Sequence, residues 1–218
     1  MTSNTAVVRL ARDYSELIRD PLPNIRAAPS PDNMLNWHFI FVGGKDTGFE
    51  GGYYHGVIKF VKEYPFKPPF YSMHIESGRF VLGKDICITN SSYHTESWNP
   101  LWSISGILTG FVAFFHDTKQ IHFIGSASNQ SDESYVKFAK ETPKKIIENK
   151  ILNELFPDVI EQIKAEQNGR PLCHTLPFPP EYYVEKERQE KHDQCNMAEI
   201  NYEAQLQYDS YDESDGEE

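Results

Sequence analysis

Tyr64-Pro65-Phe66-Lys67-Pro68-Pro69, followed at once by Phe70-Tyr71-Ser72-Met73-His74-Ile75, is the stretch on which the fold turns. Three prolines within five residues exclude helix and central strand, because each fixes φ and lacks an N–H donor. A stiff extended loop results, and its aromatic residues cannot all retract into a core. From Phe70 to Ile75 the chain turns aromatic and branched, which predicts a strand. Upstream, Trp37 to Val42 and Gly56 to Val61 read the same way. Between those two lies a break from Gly43-Gly44 to Gly51-Gly52, long enough to join antiparallel strands. No Gly-Lys-Ser/Thr follows these glycines and no helix opens there, so they are turn residues rather than a phosphate cradle.

Helical patterns lie on both sides of this strand block. Val7, Leu10, Ala11, Tyr14, Leu17 and Ile18 recur at three- and four-residue spacing, predicting an amphipathic helix from about Ala6 to Arg19 that Pro21 and Pro23 end. Ile104 to His116 has the apolar density of a buried helix, with Ser103 placed to cap it. A polar interval from Thr118 to Asp132 precedes three further helical patterns, Glu133 to Lys140, Pro143 to Leu155 and Pro157 to Gln167. The fold class is α+β: an N-terminal helix, an antiparallel sheet of about four strands, then helices. Pro171, Pro177, Pro179 and Pro180 predict an extended linker. The expected division is a folded domain over 1–168, a linker over 169–200 and an acidic disordered tail over 201–218.

Composition and charge narrow the class. A chain of 218 residues with 39% hydrophobic and 13% aromatic residues can build a core without disulfides. Its cysteines, Cys87, Cys173 and Cys195, are odd in number and form no Cys-x-x-Cys pair, which indicates a reducing compartment. Net charge is −11, and seven of the acids fall in 201–218 with no Lys or Arg, so the rest carries only −4. No basic patch survives that balance, and nucleic acid is not an expected partner. The start of the chain is too polar for a signal peptide, and the longest apolar stretch, Gly106 to Phe115, is too short for a membrane span. Cys173-His174 with His192 and Cys195 matches no common zinc spacing, so no metal is expected.

Cys87 sits in Asp85-Ile86-Cys87-Ile88, ahead of Tyr93-His94-Thr95-Glu96-Ser97-Trp98-Asn99-Pro100-Leu101-Trp102. It is the one cysteine inside the predicted domain. Such a residue is either a small core hydrophobe or a reactive thiol. A cysteine protease would pair it with His94, but no signature supplies the third group that would orient the base.

Tyr64-Pro65-Phe66-Lys67-Pro68-Pro69, Ile86-Cys87-Ile88 and Trp98-Asn99-Pro100 together resemble the catalytic domain of a ubiquitin-conjugating enzyme. More narrowly the chain resembles the J-type branch, which is normally tail-anchored in the endoplasmic reticulum membrane. Glu50-Gly51-Gly52-Tyr53-Tyr54-His55-Gly56, Gly78-Arg79-Phe80, Trp102-Ser103, Thr109-Gly110 and Leu155-Phe156-Pro157-Asp158-Val159 carry that narrower likeness, as does Thr175-Leu176-Pro177. The resemblance spans about Arg9 to Glu166 in order. It implies that Cys87 accepts ubiquitin as a thioester from an activating enzyme and passes it to an amine or hydroxyl of a protein substrate, with a RING-type ligase. ATP is then consumed by the activating enzyme, and no cofactor is expected here. Arg9 and Arg12 would face the activating enzyme, while Phe66, Pro100 and Leu101 would meet the ligase. His94 would be a base or a loop brace. The setting implied is protein quality control or endoplasmic-reticulum-associated degradation.

The chain departs from the branch in two places. J-type enzymes usually carry Thr-Pro-Asn-Gly-Arg-Phe before the cysteine, with the asparagine supporting the oxyanion. Here the run is Ile75-Glu76-Ser77-Gly78-Arg79-Phe80, so Ser77 takes the asparagine's place and Asn90 is a candidate substitute donor. Losing an oxyanion donor costs about 100- to 1,000-fold in rate, so a weakened variant that serves as a ubiquitin or ligase scaffold is the alternative reading. Loading with another ubiquitin-like modifier is a further one. The second departure is the acidic end, Asp215-Gly216-Glu217-Glu218, where the branch has its anchor. The expectation is a cytoplasmic chain recruited to the cytosolic face of the endoplasmic reticulum.

Overall fold

Four strands pair antiparallel in the order of the chain: β1 (Ile25–Ser30), β2 (Asn33–Val42), β3 (Tyr53–Lys59) and β4 (Phe70–Met73). The structure is a computed structural model, and it describes residues 5–86, 97–118, 130–193 and 197. Helix α1 (Thr5–Arg19) precedes the sheet, and α2 (Ile104–His116), α3 (Asp132–Ile147), α4 (Lys150–Leu155) and α5 (Pro157–Gln167) follow it. This is the expected α+β order. The strand β1 is the one that the sequence hides, because its short Ala27 and Ala28 and its Pro29 carry little strand signal. It lies at the sheet's edge, where a missing N–H is tolerated.

One face of the sheet receives α2. Phe39 meets Phe111 edge-on at 5.2 Å between ring centroids, and Phe41 meets Phe115 at 4.9 Å. Tyr71 of β4 stacks on Phe111 at 5.5 Å. Gly56 makes room for this layer, since a Cβ there would stand 2.2 Å from the Phe39 ring. Ser103 caps α2 as its sequence position implies, accepting the Gly106 N–H at 3.1 Å. At the other end, the His116 ring fixes its own tautomer: Nδ1–H donates to Val112 O at 2.8 Å, and Nε2 accepts the Gly44 N–H at 2.9 Å. Burial lowers the imidazole's pKa and favours that neutral form. The Gly43–Gly52 break is thereby fastened to the end of α2.

Pro143 does not separate two helices as its sequence position suggests; it lies inside α3, and the break comes at Asn149, the cap of α4. The carbonyl that a residue-143 N–H would have served, Ala139 O, instead accepts the Thr142 hydroxyl at 3.2 Å. The same Thr142 oxygen accepts the Tyr53 N–H at 2.9 Å, which ties α3 to the start of β3.

On the sheet face away from α2 lie three histidines. His38 Nδ1 is 3.0 Å from His55 Nε2, their rings stack at 5.2 Å, and His74 follows at 5.6 Å from His55. His55 Nδ1 is buried without a hydrogen-bond partner. Burial, then the neighbouring His38 and His74, push the His55 pKa down to about 3.

The compact unit continues past the expected boundary at 168 and runs to Pro179. Residues 169–179 form a strap rather than a free linker: Leu176 is buried and its N–H donates to Pro23 O at 2.7 Å. Arg26 Nη1 donates to Pro177 O at 2.6 Å and to Asp158 at 2.8 Å, while Cys173 N–H donates to Glu166 at 2.9 Å. Residues 180–218 are a separate unit, helical over 180–193. The acidic tail expected over 201–218 lies outside the described residues.

Thr142→Val should cost about 2 kcal/mol in urea unfolding, because it orphans a buried N–H and a carbonyl together; Thr142→Ser should recover most of that. Stability should also fall with acid. His55 stays neutral when folded, whereas the unfolded imidazole takes a proton below about pH 6.5, so protons favour the unfolded chain down to about pH 3. The predicted loss is about 1.4 kcal/mol at pH 5.5. Urea curves at pH 7.5 and 5.5 should differ less by that amount in His55→Gln than in the parent.

Candidate active site

The run that delivers Cys87 is pinned along β4. Gly83 N–H donates to Met73 O and Ile86 N–H to Tyr71 O, each at 2.8 Å, and Asp85 bridges Ser72. Ile86, the residue before Cys87, is fully buried. Cys87, Asn90 and His94 lie outside the described residues. Where the chain resumes at Ser97, it is fastened to the proline loop: Trp98 Nε1–H donates to Pro65 O at 2.7 Å, and its ring packs near Tyr64 and Trp102. Asn99 closes the turn, accepting the Leu101 N–H on Oδ1 at 2.9 Å and the Trp102 N–H on its carbonyl at 3.1 Å. The described residues on either side of 87–96 are therefore anchored, to β4 before it and to the proline loop after it.

Arg9, expected to face a partner, is used internally. Its Nε donates to both oxygens of the buried Asp13, while Nη1 and Nη2 donate to Pro100 O and Trp102 O, each at 2.9 Å. The guanidinium thus clamps α1 onto the 98–102 turn. Burial raises the Asp13 pKa, and the Arg9 hydrogen bonds oppose that rise. Arg12, one turn on, stands 75% exposed and pairs with Glu16. Phe66 is 72% exposed and Leu101 84%, on the two loops that the Trp98 bond joins; Pro100 is half-buried between them in sequence.

Ser77 is fully buried, and its Oγ accepts the Arg79 N–H at 3.2 Å. The hydroxyl in the usual asparagine position is thus a brace for its own turn. That turn needs Gly78, which has φ of +73° and leaves a Cβ only 3.0 Å from the Tyr135 ring. Arg79 is fully buried too. Its Nε donates to Phe115 O at 3.2 Å, and Nη2 donates to Phe114 O at 3.4 Å and Asp117 O at 2.8 Å. These are the end carbonyls of α2, where a cation also meets the favourable end of the helix dipole. The guanidinium lies 4.8 Å from the Phe80 ring centroid and 5.5 Å from that of Phe114. Burial lowers its pKa, with Tyr135 and Asp117 acting the other way. Gly78-Arg79-Phe80 is visible in the sequence as a motif, but this role is not. An arginine cannot announce from sequence that its acceptors lie some 35 residues away.

Residues 9–145 match the family described as "Ubiquitin-conjugating enzyme". "Ubiquitin-conjugating enzyme E2 34" of Arabidopsis thaliana is 38% identical over 179 residues, 82% of this chain and 74% of that one. "Ubiquitin-conjugating enzyme E2 J2" of Homo sapiens is 39% identical over 181 residues, covering 80% of this chain and 68% of that one. "Ubiquitin-conjugating enzyme E2 6" of Eremothecium gossypii is 35% identical over 202 residues, covering 92% and 81%. The chain belongs to the ubiquitin-conjugating enzyme family, in its J-type branch, and its activity is that of a ubiquitin-conjugating transferase. Among the described residues, no helix is long and apolar enough to cross a membrane.

Arg9→Met should cost about 3 kcal/mol at pH 7.5, since it strands the buried Asp13 carboxylate and frees two carbonyls. The penalty should shrink toward pH 5, where the folded state binds a proton at Asp13 more readily than the unfolded chain does. Arg12→Met should leave the unfolding midpoint unchanged. Urea titrations at the two pH values read both effects.

Proposed function

We propose that Cys87 is the thioester carrier. Its thiolate attacks the thioester that joins the ubiquitin C-terminus to the activating enzyme, whose own thiolate leaves. An amine or hydroxyl of a protein substrate then attacks the new thioester, loses its proton and releases the Cys87 thiolate. The observation that carries the reading is that both described flanks of 87–96 are anchored, Ile86 to β4 and Trp98 to the proline loop. A nucleophile exchanged between large proteins needs a fixed place on a rigid support, and β4 and the proline loop supply the two anchors.

Partner contacts follow from exposure. With Arg9 committed to the 98–102 turn, Arg12 remains exposed on α1, as Arg19 does at its end, and Arg12 is the expected cation open to an activating enzyme. Phe66 and Leu101, with Pro100, form an apolar surface for a RING-type ligase, and rigid loops lose little entropy on binding. His94 as base or brace and Asn90 as oxyanion donor belong to the same proposal. So do a role in protein quality control or endoplasmic-reticulum-associated degradation, and cytoplasmic residence with recruitment to the reticulum's cytosolic face. Those last points rest on the J-type likeness.

A second reading, a variant weak in transfer that scaffolds ubiquitin or a ligase, is favoured by one observation: the Ser77 hydroxyl is buried and already accepts the Arg79 N–H. On either reading Ser77 is a brace, so Ser77→Ala should lower stability by about 1 kcal/mol while leaving the discharge rate within about threefold. A loss of about 100-fold would restore Ser77 as the oxyanion donor.

The deciding experiment incubates the full chain with activating enzyme, ubiquitin and ATP. A reductant-sensitive adduct should form, become reductant-resistant in Cys87→Ser, and discharge onto free lysine. No adduct on the parent would defeat the carrier reading; an adduct that never discharges would select the scaffold. Phe66→Ala should reduce ligase-stimulated discharge about tenfold or more and leave the unstimulated rate unchanged.

A further inference from the structure

Arg79 is an expensive residue for what it contributes to folding. It is a fully buried cation held by three carbonyls and two aromatic rings, and Nη1 has no hydrogen-bond partner. Asp117 acts on it electrostatically, but the direct hydrogen bonds of Arg79 go to carbonyls. Buried charges of this kind can often be replaced by apolar side chains of similar volume without loss of stability. Its value must be sought in what it connects.

The run from Ser77 to Ile86 is pinned to β4 at Gly83, Asp85 and Ile86. Within it, Arg79 is the residue whose hydrogen bonds reach the end of α2 and the Asp117 carbonyl. The run ends at Ile86, the residue before Cys87, and a single guanidinium joins it to the end of α2, its planar geometry holding three acceptors at once. Gly78 shapes the turn that leads into the fork, and the Ser77 oxygen adds one hydrogen bond to the Arg79 N–H.

We infer that Arg79 is a positioning residue for ubiquitin transfer: it fixes the end of α2 against the run that delivers Cys87. The inference rests on the reading of Cys87 as the thioester carrier. Loading tolerates more freedom, because a thiolate can meet an activated acyl group from a range of approaches. Discharge onto a weak nucleophile needs the surroundings of the thioester in register, and a displacement on the order of 1 Å costs up to about 100-fold.

The test uses the full chain and single-turnover kinetics. Parent, Arg79→Lys, Arg79→Gln and Phe114→Leu are loaded by activating enzyme and ubiquitin, the supply of ATP is stopped, and decay of the thioester onto free lysine is followed. The first-order decay constant counts only molecules folded well enough to have loaded, so a change in folded fraction does not move it. Expected are loading rates within about twofold of the parent, and discharge slowed about tenfold or more in Arg79→Gln. Arg79→Lys keeps the charge without the fork and should recover thermal stability better than discharge. Phe114→Leu removes one ring from the guanidinium but no hydrogen bond, and should slow discharge by a smaller factor; it carries the test if the Arg79 variants do not fold. Parent-like discharge constants in the folded variants would overturn the inference, as would loading that falls in step with discharge. Absence of an adduct on the parent itself would instead defeat the carrier reading.

Discussion

Phe111 and Phe115, one turn apart on α2, are where the sheet and the C-terminal half of the chain meet. Between them they contact Phe39, Phe41, Tyr54, Tyr71 and Phe80, so residues from β2, β3, β4 and the Ser77–Ile86 run share one aromatic layer. Protein interiors pack like crystals, and such a layer has little freedom to slide. The anchors on the upstream side of Cys87 hang from it. The β4 strand that pins Ile86 rests on Phe111 through Tyr71, and the helix end that Arg79 grips carries Phe115.

The fold was legible wherever the hydrophobic pattern was dense. Helix α2 reads from its own sequence down to the Ser103 cap, because its apolar residues and its cap are all local. Failures came where a remote partner overrode a local rule. Pro143 is a helix breaker by composition, and only the Thr142 hydroxyl reveals that Ala139 O is already served. The strap at 169–179 reads as linker because its prolines dominate, yet Arg26 and Pro23 supply hydrogen bonds from the opposite end of the domain.

For the candidate site the same division holds. Phe66 and Leu101 could be read as exposed because prolines and turns around them deny them a core. Arg9 could not be read as a clamp, since a helix-surface arginine looks the same whether it meets solvent or two carbonyls 91 and 93 residues away. Ser77 shows the limit of reading a residue by position alone. Its place in the motif suggests chemistry, while its burial and its bond to Arg79 N–H make it part of a turn.

The strap has a consequence for where this protein ends as a folding unit. The family match stops at residue 145, yet Ile146, Leu152, Phe156, Val159, Ile160, Ile163 and Leu176 all lie beyond it and are buried with the core. The chain past residue 145 is thus not an appendage but a cover of apolar side chains, held by Arg26 Nη1 across Asp158 and Pro177. Severed after Asn168, the domain would expose the seat of Leu176 and leave Arg26 without its carbonyl. The end of the domain and its core are thus packed as one body, and a change at Leu176 or Asp158 is felt at Pro23 and Arg26 in the sheet half.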